Sequence, residues 1–355
     1  MRDLQSLWWD SVPNALRMRR TVSDMLIKEE SLVLSTAGCL PWKNLFYRSV
    51  TADVNERVAT KAFITVNGRE DPEKYLMEHC CDTETRAMYR PSKSVPVFLA
   101  GAEKAVIHSR YIWVDCHTVS DLYAWSSFAG VYGRSRKRGK GKAVFILCYD
   151  GTAQARGKRR PDLPVITLAD YITDFDRNVF ASLVVSSLRI SPAQKQYLTE
   201  LAVCTVGHSM ELCAGCLNRD TAFLSDPYKT AVETADEEGL QGCISDSAAG
   251  RKEFKREVWK AQVRTFYPAI EEYRQAFAER HEKEIDKLLP FQGPNGDIFE
   301  RAADVEVGVL YFFYTSGRLA LPEEEGLRLT AMRDARNALS HNSVLQYSEL
   351  KLFWP

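Results

Sequence analysis

Arg336, Asn337 and His341 stand in an Arg-Asn-x-x-x-His spacing near the carboxyl end of the sequence. A guanidinium is permanently charged and meets phosphate oxygens with two parallel donors. An imidazole takes or gives a proton close to neutral pH. Together they are a minimal set for cutting RNA by internal transfer. The imidazole accepts the 2′-OH proton or protonates the leaving oxygen, and the guanidinium meets the charge of the phosphorane. Asn337 would orient His341 or touch the substrate, and Arg333 extends the basic face by a turn. Read as a helix over 331–345, the stretch places Ala331, Met332, Ala335, Ala338 and Leu339 on an apolar stripe. Arg333, Arg336, Asn337, Ser340 and His341 fall on the opposite, polar stripe. Asn337 and His341 are four apart and share a side, whereas Arg336 and His341 flank it. A solvated helix face has the same pattern, and Asn337 and Ser340 can equally satisfy neighbouring backbone.

The spacing resembles the signature of HEPN domains, helical modules found in many prokaryotic RNases and defence proteins. The resemblance covers the last helical third of the chain. It implies two protomers bringing their motifs together to cleave RNA without metal, which would double the one Arg336 and one His341 that each chain supplies. It equally implies a motif kept for packing, for an interface or in an antitoxin-like role. Catalysis by Arg336, Asn337 and His341, a non-cleaving binding role, and coincidence all stay open.

A second constellation lies upstream. SLVLSTAGCLPWKNLFYRSV reads as a strand, a small-residue loop and a helix, and YIWVD ends a later apolar strand on Asp115. The arrangement resembles the P-loop NTPases, and the strand order an AAA-type core. That resemblance implies Gly38 and Lys43 at a nucleotide's phosphates and Asp115 at its Mg²⁺. A Walker A loop needs several glycines, a lysine and then a Ser/Thr hydroxyl. Here Gly38 stands alone, Pro41 and Trp42 occupy the turn, Lys43 is followed by Asn44, and no GK[ST] occurs in the chain. ATP hydrolysis is therefore not expected, and no cofactor or metal is assigned. A degenerate NTPase-like scaffold, a nucleotide sensor and an unrelated α/β sheet remain.

Cations crowd two loops around one strand: Arg134, Arg136, Lys137, Arg138, Lys140 and Lys142 before it, Arg156, Lys158, Arg159 and Arg160 after it. They suit a phosphate backbone, with salt-dependent binding, or two solvated loops, since no aromatics are interleaved to stack bases. Asp170, Asp174 and Asp176 suit the capping of a following helix better than a metal. Cys204, His208, Cys213 and Cys216 lie in what reads as one continuous helix over 198–217, which wraps poorly around one ion.

The elements that must position these groups follow from periodicity. Short apolar runs at 32–34, 62–66, 111–114, 143–148 and 164–168 have the pattern of strands buried on both faces. Helical stretches at 41–57 and 119–132 separate several of them, which argues for a parallel α/β sheet. Helices over 1–30 would dock on it. Residues 225–250 read as a linker, and a long helix over 251–289 is expected to kink or divide at Pro268. The fold class is then a parallel α/β sheet followed by a helical bundle, with segments 1–190, 191–250 (a helical connector and loop) and 251–355.

Lys plus Arg and Asp plus Glu are both 47, so any nucleic-acid contact must use a local patch. Nine scattered cysteines and the lack of an apolar leader suit a reducing cytoplasm. Protein partners or a homodimer are expected, with RNA or DNA at the basic loops and no membrane span. The combination reads as a subunit of an antiviral defence assembly. The alternatives are a dimeric metal-independent ribonuclease and a nucleotide sensor.

Overall fold

The structure, a computed structural model, describes residues 4–36, 40–58, 61–137, 141–151, 163–293 and 296–354. The chain divides into two compact units, Met1–Asp176 and Arg177–Pro355. No described helix is long and apolar enough to cross a membrane.

The first unit is built on five strands: β1 (Leu32–Ser35), β2 (Ala62–Asn67), β3 (Arg110–Cys116), β4 (Val144–Tyr149) and β5 (Val165–Thr167). All neighbours pair in parallel, in the order β2-β3-β4-β1-β5. The apolar runs dictate this. β1 is buried along its whole length and β4 along all but its last residue, the condition of strands covered on both faces. The chain leaves β1 toward the β2 edge and leaves β4 across β1 toward β5. The two connections thus run in opposite directions past the adjacent strands β1 and β4. Beyond the carboxyl ends of those strands lies the crevice where open α/β sheets bind ligands.

Three helices frame that crevice. Helices α1 (Leu4–Ser11) and α2 (Pro13–Ile27) pack with α3 (Lys43–Arg57), which follows β1. Trp8 and Trp9 are fully buried; the Trp9 indole donates to the Pro41 carbonyl at 2.9 Å and lies 4.5 Å from the Phe46 ring. The loop before α3 is thus pinned from outside. Helix α4 (Val119–Ser135) opens with a capping box between Thr118 and Asp121. Its Trp125 donates to the Gly68 carbonyl at 3.0 Å, and the Gly68 amide donates to the Asp115 carbonyl at 2.8 Å. A Cβ at position 68 would sit 2.5 Å from that carbonyl oxygen, so only glycine lets the two strand ends meet.

The second unit is helical, apart from a short two-stranded ribbon. Its spine is α9 (Ala248–Arg280), flanked earlier in the chain by α5 (Asp174–Ser186), α6 (Pro192–Val206), α7 (Met210–Asn218) and α8 (Pro227–Glu237). After the spine come α10 (Val307–Thr315) and α11 (Glu323–Ser340). Four sequence expectations are corrected here. The stretch 198–217 is two helices, because Ser209 turns out of the first and caps the second by accepting from the Leu212 amide. Residues 225–250 are not a bare linker, since α8 starts there on an Asp226 cap with Pro227 in its first turn. Pro268 does not divide α9. It removes one amide donor, but Thr265, Phe266 and Ile270 around it are buried and hold the helix through the gap. Helix α11 stops at Ser340, five residues short of the expected end.

Buried Gln262 on α9 explains how the chain beyond α11 is held. Its amide donates to the Leu345 carbonyl at 3.0 Å and accepts from the Leu345 amide at 2.7 Å, and it also donates to the Tyr197 hydroxyl at 3.2 Å. Nearby, Phe353 stacks on Phe266 at 4.5 Å. Gln262→Leu keeps the volume but leaves the Leu345 backbone without partners in a dry site. The variant is expected to lose about 2–4 kcal/mol, read as an earlier urea transition of the helical unit. An unshifted transition would show that the clamp contributes nothing.

Candidate functional site

The crevice of the first unit is built from strand ends. β1 delivers Ser35 and Thr36, β3 delivers Asp115, β4 leads into Asp150, and α3 begins at Lys43. The Thr36 amide donates to the Tyr149 carbonyl at 3.0 Å and its hydroxyl to Asp150 at 2.9 Å, while Ser35 donates to the Gly151 carbonyl at 2.5 Å. Trp42, just before α3, takes a left-handed backbone with φ 44°. That conformation is costly for a bulky residue and directs Lys43 inward at the first position of the helix.

The Lys43 ammonium lies 2.7 Å from Asp115 Oδ1. Tyr47, one turn on, donates its hydroxyl to the same oxygen at 2.7 Å and stacks on Trp113, 4.1 Å between centroids. Lys43 also sits 5.5 Å from the Tyr47 ring centre. Burial alone would lower the Lys43 pKa, but charge on Cys148, the hydrogen bond and charge of Asp115, and Asp150 outweigh it, so the value is raised. Burial, then Cys148 and Asp115, pushes the Tyr47 phenol far up, and it stays a neutral donor. Burial likewise lifts the Cys148 thiol to about 11 despite Lys43 and Tyr47. Such a thiol is inert at neutral pH.

The two groups expected at a nucleotide, Lys43 and Asp115, are therefore brought together and satisfy each other. Gly38 lies outside the described residues. Asn44 stands where a Mg²⁺-binding hydroxyl is needed, so the residues present do not fit a metal–nucleotide complex poised for hydrolysis. Tyr47 and Asp150 were not singled out by sequence. Asp150 closes the VFILCY strand just as Asp115 closes YIWV, and that parallel was the available signal.

On the helical unit, α11 carries the polar stripe. Arg333 lays its guanidinium over the Tyr311 ring at 3.8 Å and reaches Asp334 at 3.2 Å. Arg336 donates to the side-chain Oδ1 of Asn337 at 3.3 Å and lies 3.8 Å from Glu306. His341 is not on the helix. It is the residue at which α11 ends; Asn342 follows with φ 57°, the Asn342 amide donates to the Leu339 carbonyl at 3.3 Å, and the Ser343 amide to Ala338 at 2.9 Å. This paired closure with a left-handed asparagine is a Schellman stop. It cuts short the helix expected to run to 345, while the His341 amide still donates to the Asn337 carbonyl at 3.1 Å, so the two residues stay one turn apart. His341 is exposed, and no side-chain hydrogen bond is formed by it among the described residues. The end of α11 is anchored to α9, where Trp259 donates to the Leu339 carbonyl at 2.8 Å and Tyr267 shares a short hydrogen bond with Ser340.

Of the basic loops, Arg138, Lys140, Arg156, Lys158, Arg159 and Arg160 lie outside the described residues. Arg134 and Lys137 are exposed. Arg136 donates to the carbonyls of Gly141 at 3.0 Å and Ala100 at 2.9 Å, which ties its loop down. In the helical unit His208 bonds the Cys243 carbonyl at 2.8 Å, and no cluster of three potential metal ligands occurs among the described residues.

No family model matches the chain, and no curated protein matches it. Solved structures similar to it include C. elegans PCH-2, 14% identical with a TM-score of 0.33, the match covering 66% of this chain and 72% of that one. Rhizobiales Trip13 is 11% identical with a TM-score of 0.32, covering 69% and 87%. Likeness at this level does not extend to function.

Removing the ammonium as Lys43→Met leaves a half-buried Asp115 with only Tyr47. A loss of about 1–2 kcal/mol is expected at neutral pH, since the pair is partly screened. Because the Lys43 pKa is raised in the folded state, its contribution is complete below the ordinary lysine value of 10.5 and fades as pH rises through the folded value. Urea titrations of both proteins should therefore differ by a steady amount from about pH 6 to about pH 10 and draw together as pH rises further. A gap that persists unchanged at still higher pH would assign the effect to another group.

Proposed function

We propose that the chain is a subunit of an assembly of the antiviral-defence type. Its α/β unit serves as a degenerate P-loop-like scaffold that does not hydrolyse nucleotide. Its helical unit is HEPN-like and serves to bind RNA or a protein partner. The observation that carries the scaffold reading is the 2.7 Å ion pair between Lys43 and Asp115. A lysine that must hold phosphates and an acid that must hold a cation are here neutralised by one another, with Tyr47 on the same carboxylate oxygen. Opening the pair would cost its electrostatic energy before any ligand was bound. Asn44 in place of a hydroxyl supports the same reading. For the helical unit the support is the retained Arg-Asn-x-x-x-His order on an anchored helix end. Arg336 engaged by Asn337 and Glu306 favours a binding face over a free catalytic cation.

The dimeric ribonuclease is a second reading, kept because His341 projects from the end of α11 into solvent, where an imidazole can reach a substrate. Asn337 and Arg336 would then contact the scissile phosphate.

Three assays on the purified chain separate these readings. With Mg²⁺ and ATP, no phosphate release above buffer and no shift of the melting temperature are expected. Turnover that Lys43→Ala removes would overturn the scaffold, and a nucleotide-dependent melting shift that Asp115→Ala abolishes would make the unit a sensor instead. In EDTA, RNA is expected to stay intact; cleavage lost in His341→Ala would establish the ribonuclease.

A further inference from the structure

The first half of α9 and the turn after α11 enclose a groove of about 710 Å³, within the range of small-ligand sites. Lys252, Lys255 and Arg256 supply three cations, Glu253 the one carboxylate, Trp259 an aromatic wall and Asn342 the opposite rim. Positions 252, 255, 256 and 259 recur at three- and four-residue steps, so they share one face of the helix. Lys252 and Lys255 are exposed and form no ion pair among the described residues; Arg256 is held by Glu253 at 2.6 Å. The indole is not free to turn. Its N–H is spent on the Leu339 carbonyl at 2.8 Å, which fixes the plane of the ring against the groove.

We propose that this groove binds single-stranded nucleic acid, seating one base on Trp259 and the flanking phosphates on Lys252 and Lys255. The inference rests on the reading of the helical unit as a binding unit and names its ligand. Groove cations beside a rigid aromatic face are what sequence-tolerant strand binding requires, because every base has a π-face and every linkage a phosphate. The basic loops of the α/β unit have the charge without the stacking partner; this groove has both. Between Lys252 and Arg256 the helix rises about 6 Å, a reach suited to one sugar-phosphate unit. The Asn342 amide can both donate to and accept from a base edge. The left-handed turn that carries it directly follows His341. An acidic peptide would use the same lysines but has no need of the indole.

The test is fluorescence anisotropy of the full chain in EDTA with labelled strands of about a dozen nucleotides, one RNA and one DNA of the same sequence, at about 50 and about 200 mM salt. Binding of either probe is expected, weakening with salt. Lys252→Ala/Lys255→Ala should weaken it roughly 5- to 50-fold and reduce the salt slope by about 1–2. Trp259→Ala should weaken it roughly 10-fold, while Trp259→Phe, which keeps a ring but loses the bond to Leu339 that fixes it, should fall between that variant and the parent. Tighter binding of one probe identifies the strand that supplies the shared chemistry. If both Trp259 variants lose binding alike, or the double lysine variant binds as the parent does, the groove is overturned while nucleic-acid binding elsewhere on the unit stands. If neither strand binds, or poly-glutamate displaces them equally from Trp259→Ala and parent, this inference fails. The scaffold assays above are unaffected by either result.

Discussion

An ammonium and a carboxylate in contact set the character of the α/β unit. Lys43 comes from the helix after β1, and Asp115 from a strand two places away, with the central β4 between them. Their attraction draws the start of α3 down onto the carboxyl edge of the sheet. Tyr47 adds a neutral donor to the same acid and lays its ring on Trp113, so the contact is backed by a stacked aromatic pair. Desolvation opposes such a pair, and the negative groups around the lysine, Asp115 and Asp150 among them, outweigh it. The crevice is thereby filled by the protein's own charges.

The helical unit is organised differently. Its spine α9 carries polar side chains that act as fixtures: half-buried Trp259, buried Gln262 and half-buried Tyr267 each engage the end of α11 or the segment beyond it. A helix interior prefers apolar residues on its packed face, and each polar one there must find partners. Gln262 does so completely, with three hydrogen bonds. The polar stripe of α11 is positioned by contacts made across the unit, and its own short-range sequence contributes the stop.

Much of this was legible in the residues alone. The inner strands announce themselves because a parallel sheet covered on both faces demands unbroken apolar runs, as in β1, β3 and β4, whereas the edge strands β2 and β5 are apolar runs left largely uncovered, against the expectation of burial on both faces. The end of α11 was misjudged because Asn342 was read as one more helical position, when asparagine is among the few residues that tolerate the left-handed turn of a helix stop. Pro268 was given its usual weight as a breaker, and packing around Phe266 and Ile270 overrode it. Lys43 and Asp115 were picked out, but their contact was not, since spacing in sequence says nothing about strands separated by a third. Gln262 left no signal beyond a polar residue in an apolar stripe. Trp259 lay in plain view on the helix face of Lys252 and Lys255, and only folding brings the α11 turn to it.

The Gln262 clamp has a bearing on how the chain can change. It grips main-chain atoms of Leu345, and main-chain atoms are the same whatever side chain they carry. The loop holding His341, Asn342 and Ser343 is thus suspended between the Leu339 carbonyl and the Leu345 peptide, both held from α9. Substitutions across that loop can swap acid, base or amide groups while its course stays fixed, except at Asn342, where the backbone itself restricts the choice. The fold supplies a rigid mount whose chemistry is interchangeable.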